Sequence, residues 1–249
     1  MLAFRLSNSK LIFIFHLKGG TTTFKYYLLQ TFLKKEYGAE LMEKEVNNIN
    51  IHNTLRKYKS NQFEYFPVNS DASVLDIRNN YSDHEIIYIH RNYKERLVSG
   101  FINKFVELDD NGYYLGLYNS TCKSLNNNKD YKDLLFSEFI KLVCDGTINN
   151  PHFYHYPITF NKLKKTTILL TDFKDINPYL LKHGLPEILD KKYNSTENST
   201  IKLTEYKKEL SIRNLQKLKE KNIVLDIKCF YNNKLEEILK NKFGHEYIL

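Results

Sequence analysis

An α/β fold with a central, mostly parallel sheet flanked by helices is what this sequence predicts. Three observations carry that reading. The apolar run Leu11-Ile-Phe-Ile-Phe15 has strand length, ends near Gly19-Gly20 and is followed by a helical pattern. A second run, Ile86-Ile-Tyr-Ile-His90, leads through Arg91 into another helical pattern, and a third, Thr166-Thr-Ile-Leu-Leu170, has the same character. Short continuous apolar runs bounded by turn residues are the mark of strands buried on both faces. With 249 residues the chain can build one sizeable core, so a single domain over residues 1–249 is expected, with a variable insertion at about 107–150.

The first strand passes into a helix from Thr21. Phe24, Tyr27, Leu28, Thr31 and Phe32 recur at spacings of three and four, and the threonines are candidate N-caps. A further strand is expected around Ile49 to His52. After Ile86 to His90, the positions of Leu97, Val98, Phe101, Ile102, Phe105 and Val106 predict a helix. Residues 107–150 mix Asn, Asp, Gly and Tyr with short apolar segments, and some helix is expected around Tyr131 to Val143. Beyond the strand at Thr166 to Leu170, an amphipathic helix is expected over Leu203 to Lys219 and a closing helix over Leu235 to Phe243.

Composition narrows the function classes. A hydrophobic content of 42% with 14% aromatics excludes wholesale disorder. The apolar run at Leu11 to Phe15 is too short to cross a bilayer, and Met1 to Lys10 lacks the features of a secretory signal, so a cytoplasmic location without a membrane span is expected. Cys122, Cys144 and Cys229 are too widely spaced for a zinc site or a disulfide framework. The net charge of +8 points to an anionic partner, with nucleic acid, anionic lipid, a nucleotide and an acidic polysaccharide all open. The basic pairs Lys34-Lys35, Lys164-Lys165, Lys191-Lys192 and Lys207-Lys208 are dispersed, as on a solvated surface.

The most informative segment is Phe15-His-Leu-Lys18-Gly19-Gly20-Thr21-Thr22-Thr23-Phe24. A helix N-terminus presents backbone N–H groups and the positive end of the helix dipole, and glycines let an anion approach the backbone. Thr21 and Thr22 add hydroxyl donors, and Lys18 adds an ammonium able to follow charge onto a leaving oxygen. The lysine precedes the glycines, unlike the order in the nucleoside-triphosphate loop. A Gly-containing turn with a capping Thr cluster is the plainer alternative. The second segment is Ile86-Ile-Tyr-Ile-His-Arg91-Asn-Tyr-Lys-Glu-Arg96-Leu-Val-Ser99-Gly-Phe. A guanidinium at a strand end can grip a phosphate bidentately, and a serine on the next helix can donate to the same group.

Lys18-Gly-Gly-Thr-Thr22 after a strand resembles the 5′-phosphosulfate loop of the sulfotransferases that use PAPS (3′-phosphoadenosine 5′-phosphosulfate), where Lys-x-Gly-Thr/Ser-Thr is the usual core. Arg91 and Ser99, eight residues apart, resemble the 3′-phosphate-binding segment of the same family, except that many members carry Pro where this chain has Tyr93. Arg96-Leu-Val-Ser99-Gly-Phe101 is similar to a stretch of the carbohydrate sulfotransferases.

The resemblance implies the sulfotransferase fold, with a phosphate-binding strand-loop-helix like a P-loop, and transfer of a sulfuryl group from PAPS to an acceptor hydroxyl, with a carbohydrate as the expected acceptor, leaving PAP. It further implies that Lys18 is catalytic, that backbone N–H groups from Gly19, Gly20, Thr21, Thr22 and Thr23 hold the 5′-phosphate, and that Arg91 and Ser99 hold the 3′-phosphate. No metal is called for.

The base for the acceptor hydroxyl comes from elsewhere in the chain. His52, expected at a strand end facing the ligand crevice, is the first candidate, against the alternative of an ordinary loop histidine. Glu45 is held in reserve, and His152 or His155 could line the acceptor site or be structural. Two rival classes stay open. One is a small-molecule kinase, which would need a Mg²⁺-holding carboxylate near the loop; Asp76 and Asp172 are available, but neither sits in a recognisable metal motif. The other is a noncatalytic nucleic-acid or polysaccharide binder, suggested by the charge and the 19 tyrosines, although no aromatic-basic repeat is present and nucleic acid is not an expected partner.

Overall fold

Strand β2 (Leu11–Phe15) is buried at every position and lies in the middle of a five-stranded sheet, which explains its uninterrupted apolar sequence. The computed structural model describes residues 1–15, 20–68, 71–107, 130–148, 150, 152–153, 167–170, 173–188, 201–203, 205 and 210–244. The chain divides into two compact units, Met1–Arg91 with Ile158–Asn194, and Asn92–Pro157 with Ser195–Leu249.

The sheet belongs to the first unit. Its strand order is β3-β1-β2-β4-β5, where β1 is Leu2–Leu6, β3 is Phe63–Pro67, β4 is Glu85–Ile89 and β5 is Thr167–Leu170. β2 with β4 and β4 with β5 pair in parallel, whereas β1 runs antiparallel to both β2 and β3. The sheet is therefore mixed rather than mostly parallel. The turn Ser7 to Lys10 between β1 and β2 is too short for a crossover and can return the chain only antiparallel. Arg5, which pairs with Glu64 of β3 at 2.6 Å, interrupts the apolar run of β1 and hides the strand from a search for continuous hydrophobicity.

Helix α1 (Thr21–Leu28) continues through a wide i→i+5 turn at Leu29–Leu33 into α2 (Lys34–Tyr37), and α3 (Ala39–Lys57) follows. The ring of Phe24 on α1 packs against Phe4, Phe13 and Phe15 of the sheet at 5.1, 5.0 and 4.9 Å between centroids. Burial of such rings is the dominant stabilising term at this interface. Helices α4 (Asp71–Asn80) and α7 (Asn177–Lys182) also belong to this unit.

The strand expected at Ile49 to His52 is a correction: these residues lie in α3, with a break in helical geometry at Asn50 (φ 65°, ψ 163°). Met42 and the partly buried Val46 before the break, and the buried Ile51 and Leu55 after it, are each four apart, so the apolar face has helical spacing on both sides. Lys57 and Glu45 meet at 2.8 Å, although twelve residues of straight helix would hold them about 18 Å apart; α3 folds back on itself at Asn50.

The second unit packs α5 (Tyr93–Phe101), with its wide turn Ile102–Val106, α6 (Phe136–Cys144), α8 (Ile212–Glu220) and α9 (Asn233–Phe243) around an aromatic core of Phe101, Phe105, Phe136, Phe139, Phe153 and Phe230. The expected helices near Tyr131 to Val143 and Leu235 to Phe243 are present. The expected helix at Leu203 to Lys219 is shorter. Ile201–Leu203 forms β6, paired in parallel with β7 (Ile223–Leu225), and α8 starts only after Ser211, whose Oγ accepts from the Asn214 N–H at 3.1 Å. A serine cap overrides the apolar period that reaches back to Leu203 in the sequence.

Candidate active site

The strand register builds the site from the sheet outward. Phe15 pairs with Ile89, and Ile89 with Leu170, so the carboxyl ends of β2, β4 and β5 stand side by side. Leu2 pairs with both Phe15 and Pro67, which brings the carboxyl end of β3 to the same edge. His90 N–H donates to Leu170 O at 2.8 Å and carries the ladder one residue past β4. In open α/β sheets the crevice outside these carboxyl ends is where ligands bind. The chain leaving β2 enters α1 there, and the chain leaving β4 passes through Arg91.

Lys18 and Gly19 lie outside the described residues. Gly20 has φ 93° and ψ 7°, a left-handed conformation that suits glycine, and a Cβ added to it would meet Phe173 Cδ2 at 2.5 Å. Gly20, not a threonine, is the N-cap residue of α1, and no side chain caps it. The expectation that the threonines cap is therefore corrected: Thr21, Thr22 and Thr23 form the first helical turn, with Thr21 buried and the other two half-buried. No acidic residue stands in that turn. An uncapped helix start with a glycine entry, a Thr-rich first turn and no carboxylate has the donor chemistry of a phosphate site, so these residues fit the 5′ end of PAPS.

Arg91 is half-buried and ends the first unit; Ser99 is half-buried on α5 in the second. Asn92 caps α5, its Oδ1 accepting from Lys94 N–H at 2.9 Å. Tyr93 therefore occupies the first helical position, where proline also fits well. Its hydroxyl donates to Phe153 O at 2.6 Å in buried surroundings, and burial pushes its pKa up. Arg96 is buried too, with its guanidinium carbon 4.9 Å from the Tyr93 ring centroid.

His52 is exposed in α3, just past the Asn50 break, where Asn50 Oδ1 accepts from the His52 and Asn53 backbone N–H groups at 3.0 and 3.2 Å. Its Nδ1 lies 2.8 Å from Nζ of Lys25 on α1. Lys25 is buried, and its pKa is pulled down to about 8, first by burial and then by the nearby Arg56 guanidinium. The face of Tyr65 on β3 approaches Lys25 Nζ to 5.7 Å from the ring centroid. Tyr65 is two residues before Pro67, so the pair stands close to the carboxyl edge of the sheet.

Sequence reasoning missed Lys25. The signal was present: Thr21, Lys25 and Leu28 share the buried helical spacing, and a lysine on that stripe needs a reason.

Glu45 is tied to Lys57, and His152 sits in a turn of the second unit where its backbone N–H donates to Asn150 Oδ1 at 3.0 Å. His155 and Asp172 lie outside the described residues, and Asp76 is exposed on α4. Among the described residues no group of three or more His, Cys, Asp and Glu side chains is arranged to hold a metal ion, and no helix is long and apolar enough to cross a membrane.

A family model described as the Sulfotransferase family matches residues 4–232. The chain belongs to the sulfotransferase family. No curated protein and no solved structure matches it. The sulfotransferase match begins in β1 and ends just before α9, so it takes in the glycine entry to α1, the Lys25–His52 pair and the Arg91 strand end.

Proposed function

We propose that this sulfotransferase moves a sulfuryl group from PAPS to an acceptor hydroxyl, with carbohydrate as the acceptor class. The observation that carries the reading is the adjacency of two strand ends: β2, which leads through Gly20 into the first turn of α1, and β4, which leads into Arg91, are parallel neighbours. PAPS, when bound, supplies the sulfuryl group. In the P-loop-like reading, backbone N–H groups from Gly19 to Thr23 hold its 5′-phosphate, and Arg91 with Ser99 holds its 3′-phosphate. Lys18 donates a hydrogen bond to the departing phosphate oxygen, and His52 takes the proton of the acceptor hydroxyl.

The family match spans both units, which supports reading them as one sulfotransferase-like domain. The carbohydrate assignment rests on the Arg96-Leu-Val-Ser99-Gly-Phe101 stretch. The buried positions of Arg96 and Phe101 make part of that likeness a matter of core packing, so acceptor choice is settled by assay. Transfer of labelled sulfate from PAPS to a panel of oligosaccharides, phenols and tyrosyl peptides tests the reading. Transfer to a sugar supports it, and transfer only to phenols overturns the acceptor class. A thermal shift with ATP and Mg²⁺ but none with 3′,5′-ADP (PAP) would overturn the donor and favour a kinase.

A further inference from the structure

We propose that Lys25 is a positioning residue for His52, and that its Nζ, by donating to or accepting from Nδ1 at 2.8 Å, decides whether Nε2 of the imidazole can take a proton. This rests on His52 being the base. Within the Lys25–His52 contact itself, three arrangements bear on Nε2. When Lys25 is an ammonium it can only donate, so a neutral His52 accepts at Nδ1 and carries its own proton on Nε2, where no further proton can be taken. When Lys25 is a neutral amine it can accept from Nδ1–H, and the Nε2 lone pair then becomes basic. If instead His52 is doubly protonated beside a neutral Lys25, Nε2 is again occupied. The base-competent pair is thus the one that has lost a proton overall, with the remaining imidazole proton on Nδ1.

Three features make that state accessible. Lys25 is buried, which disfavours its ammonium form, and Arg56 from the same α3 as His52 adds positive charge near it; together they bring the amine's titration down to about 8. The Tyr65 ring face on β3, 5.7 Å from Nζ, favours the ammonium, but by far less than a carboxylate there would. On the other side of the pair, Asn50 takes a left-handed backbone uncommon for a residue with a side chain, and its Oδ1 bonds to the His52 and Asn53 N–H groups hold the break in place. Backbone strain held by local bonds is a feature of working sites. Lys25 stands one turn into α1, whose first turn is where the 5′-phosphate is proposed to sit.

The experiment compares Lys25→Arg and Lys25→Met across pH 6 to 10, with PAP-induced thermal shift as the check that each variant folds and binds donor. Arginine stays protonated throughout and can only donate, so K25R is expected to hold His52 in the incompetent tautomer and to lose at least about 100-fold in kcat at every pH, within the range for removing a general base. Methionine neither donates nor accepts. K25M is expected to keep measurable turnover, with the acid limb of kcat moved from near pH 8 toward the ordinary imidazole value of about 6.5. A purely structural role would make K25M at least as damaging as K25R, and K25R with near-normal kcat or K25M with an unmoved limb would overturn the proposal. His52→Ala separates the two layers: near-normal turnover in that variant removes His52 as base, whereas its loss of turnover beside an active K25R removes only the role of Lys25.

Discussion

The ring of Phe173 lies where a side chain on Gly20 would have to stand, 2.5 Å from the position of a Cβ, and Phe173 also packs on Phe15 at 6.1 Å between centroids. The aromatic ring after β5 thereby presses on the residue that admits the chain into α1. Gly20→Ala should lose about 1 to 2 kcal/mol from the left-handed backbone alone, or a fall in Tm of about 2 to 8 °C, and more if Phe173 is forced aside. PAP binding should weaken in the same variant, read by calorimetry below the lowered Tm. A variant that is less stable yet binds PAP normally would dissociate Gly20 from the phosphate site.

Arg91→Ala should weaken PAP by about 1.5 to 3 kcal/mol, or about 10- to 150-fold, the range for hydrogen bonds to a charged group. Binding of 5′-AMP, which lacks the 3′-phosphate, should change little. Equal loss for both nucleotides would mean that Arg91 acts elsewhere than on the 3′-phosphate.

Tyr93→Phe removes one oxygen and leaves Phe153 O without its buried donor. Urea unfolding should show a loss of about 1 to 3 kcal/mol, since an unsatisfied buried acceptor is costlier than the average hydrogen bond. An unchanged midpoint would show that the 2.6 Å contact is replaced in solution.

Lys25→Met should be more stable than the parent at pH 7, because the parent holds a buried ammonium there. Burial depresses the Lys25 pKa from 10.5 to about 8, so the stabilising contribution of the neutral amine is complete above 10.5 and is lost as pH falls through about 8. The advantage of the methionine variant should therefore be full below about pH 8 and shrink steadily toward 10.5. A constant difference across that window, measured by chemical denaturation, would show that charge burial is not its cause.

Much of the fold was legible wherever burial on both sides of a strand left a continuous apolar run, as in β2 and β4, or wherever a helix carried one wet face, as in α5 and α9. β1 was illegible because Arg5 answers Glu64 across the sheet, a long-range pairing invisible in local pattern, and with β1 went the mixed character of the sheet. The break at Asn50 misled in the opposite direction, since a helix that folds back interrupts its own period and shows a few alternating residues that mimic a strand. Near the candidate site, the glycine entry to α1 and the arginine after β4 were legible as positions because each lies just past a strand in the sequence. The partnership of Lys25 with His52 was not, because it is made by packing α1 against α3 across twenty-seven positions.

The order of segments in the first unit bears on how the chain is made. β4 is complete at Ile89, but its neighbour β5 begins only at Thr167, after the whole first stretch of the second unit has been synthesised. At about 5 to 20 residues per second the ribosome needs roughly 4 to 16 s to deliver those residues, and throughout that interval one flank of an Ile-rich strand has no partner. An open, apolar strand flank is a template for pairing with other chains. Nascent or truncated forms ending before Leu170 should therefore depend on chaperones or self-associate, and deletions that bring β5 closer behind β4 should ease that dependence.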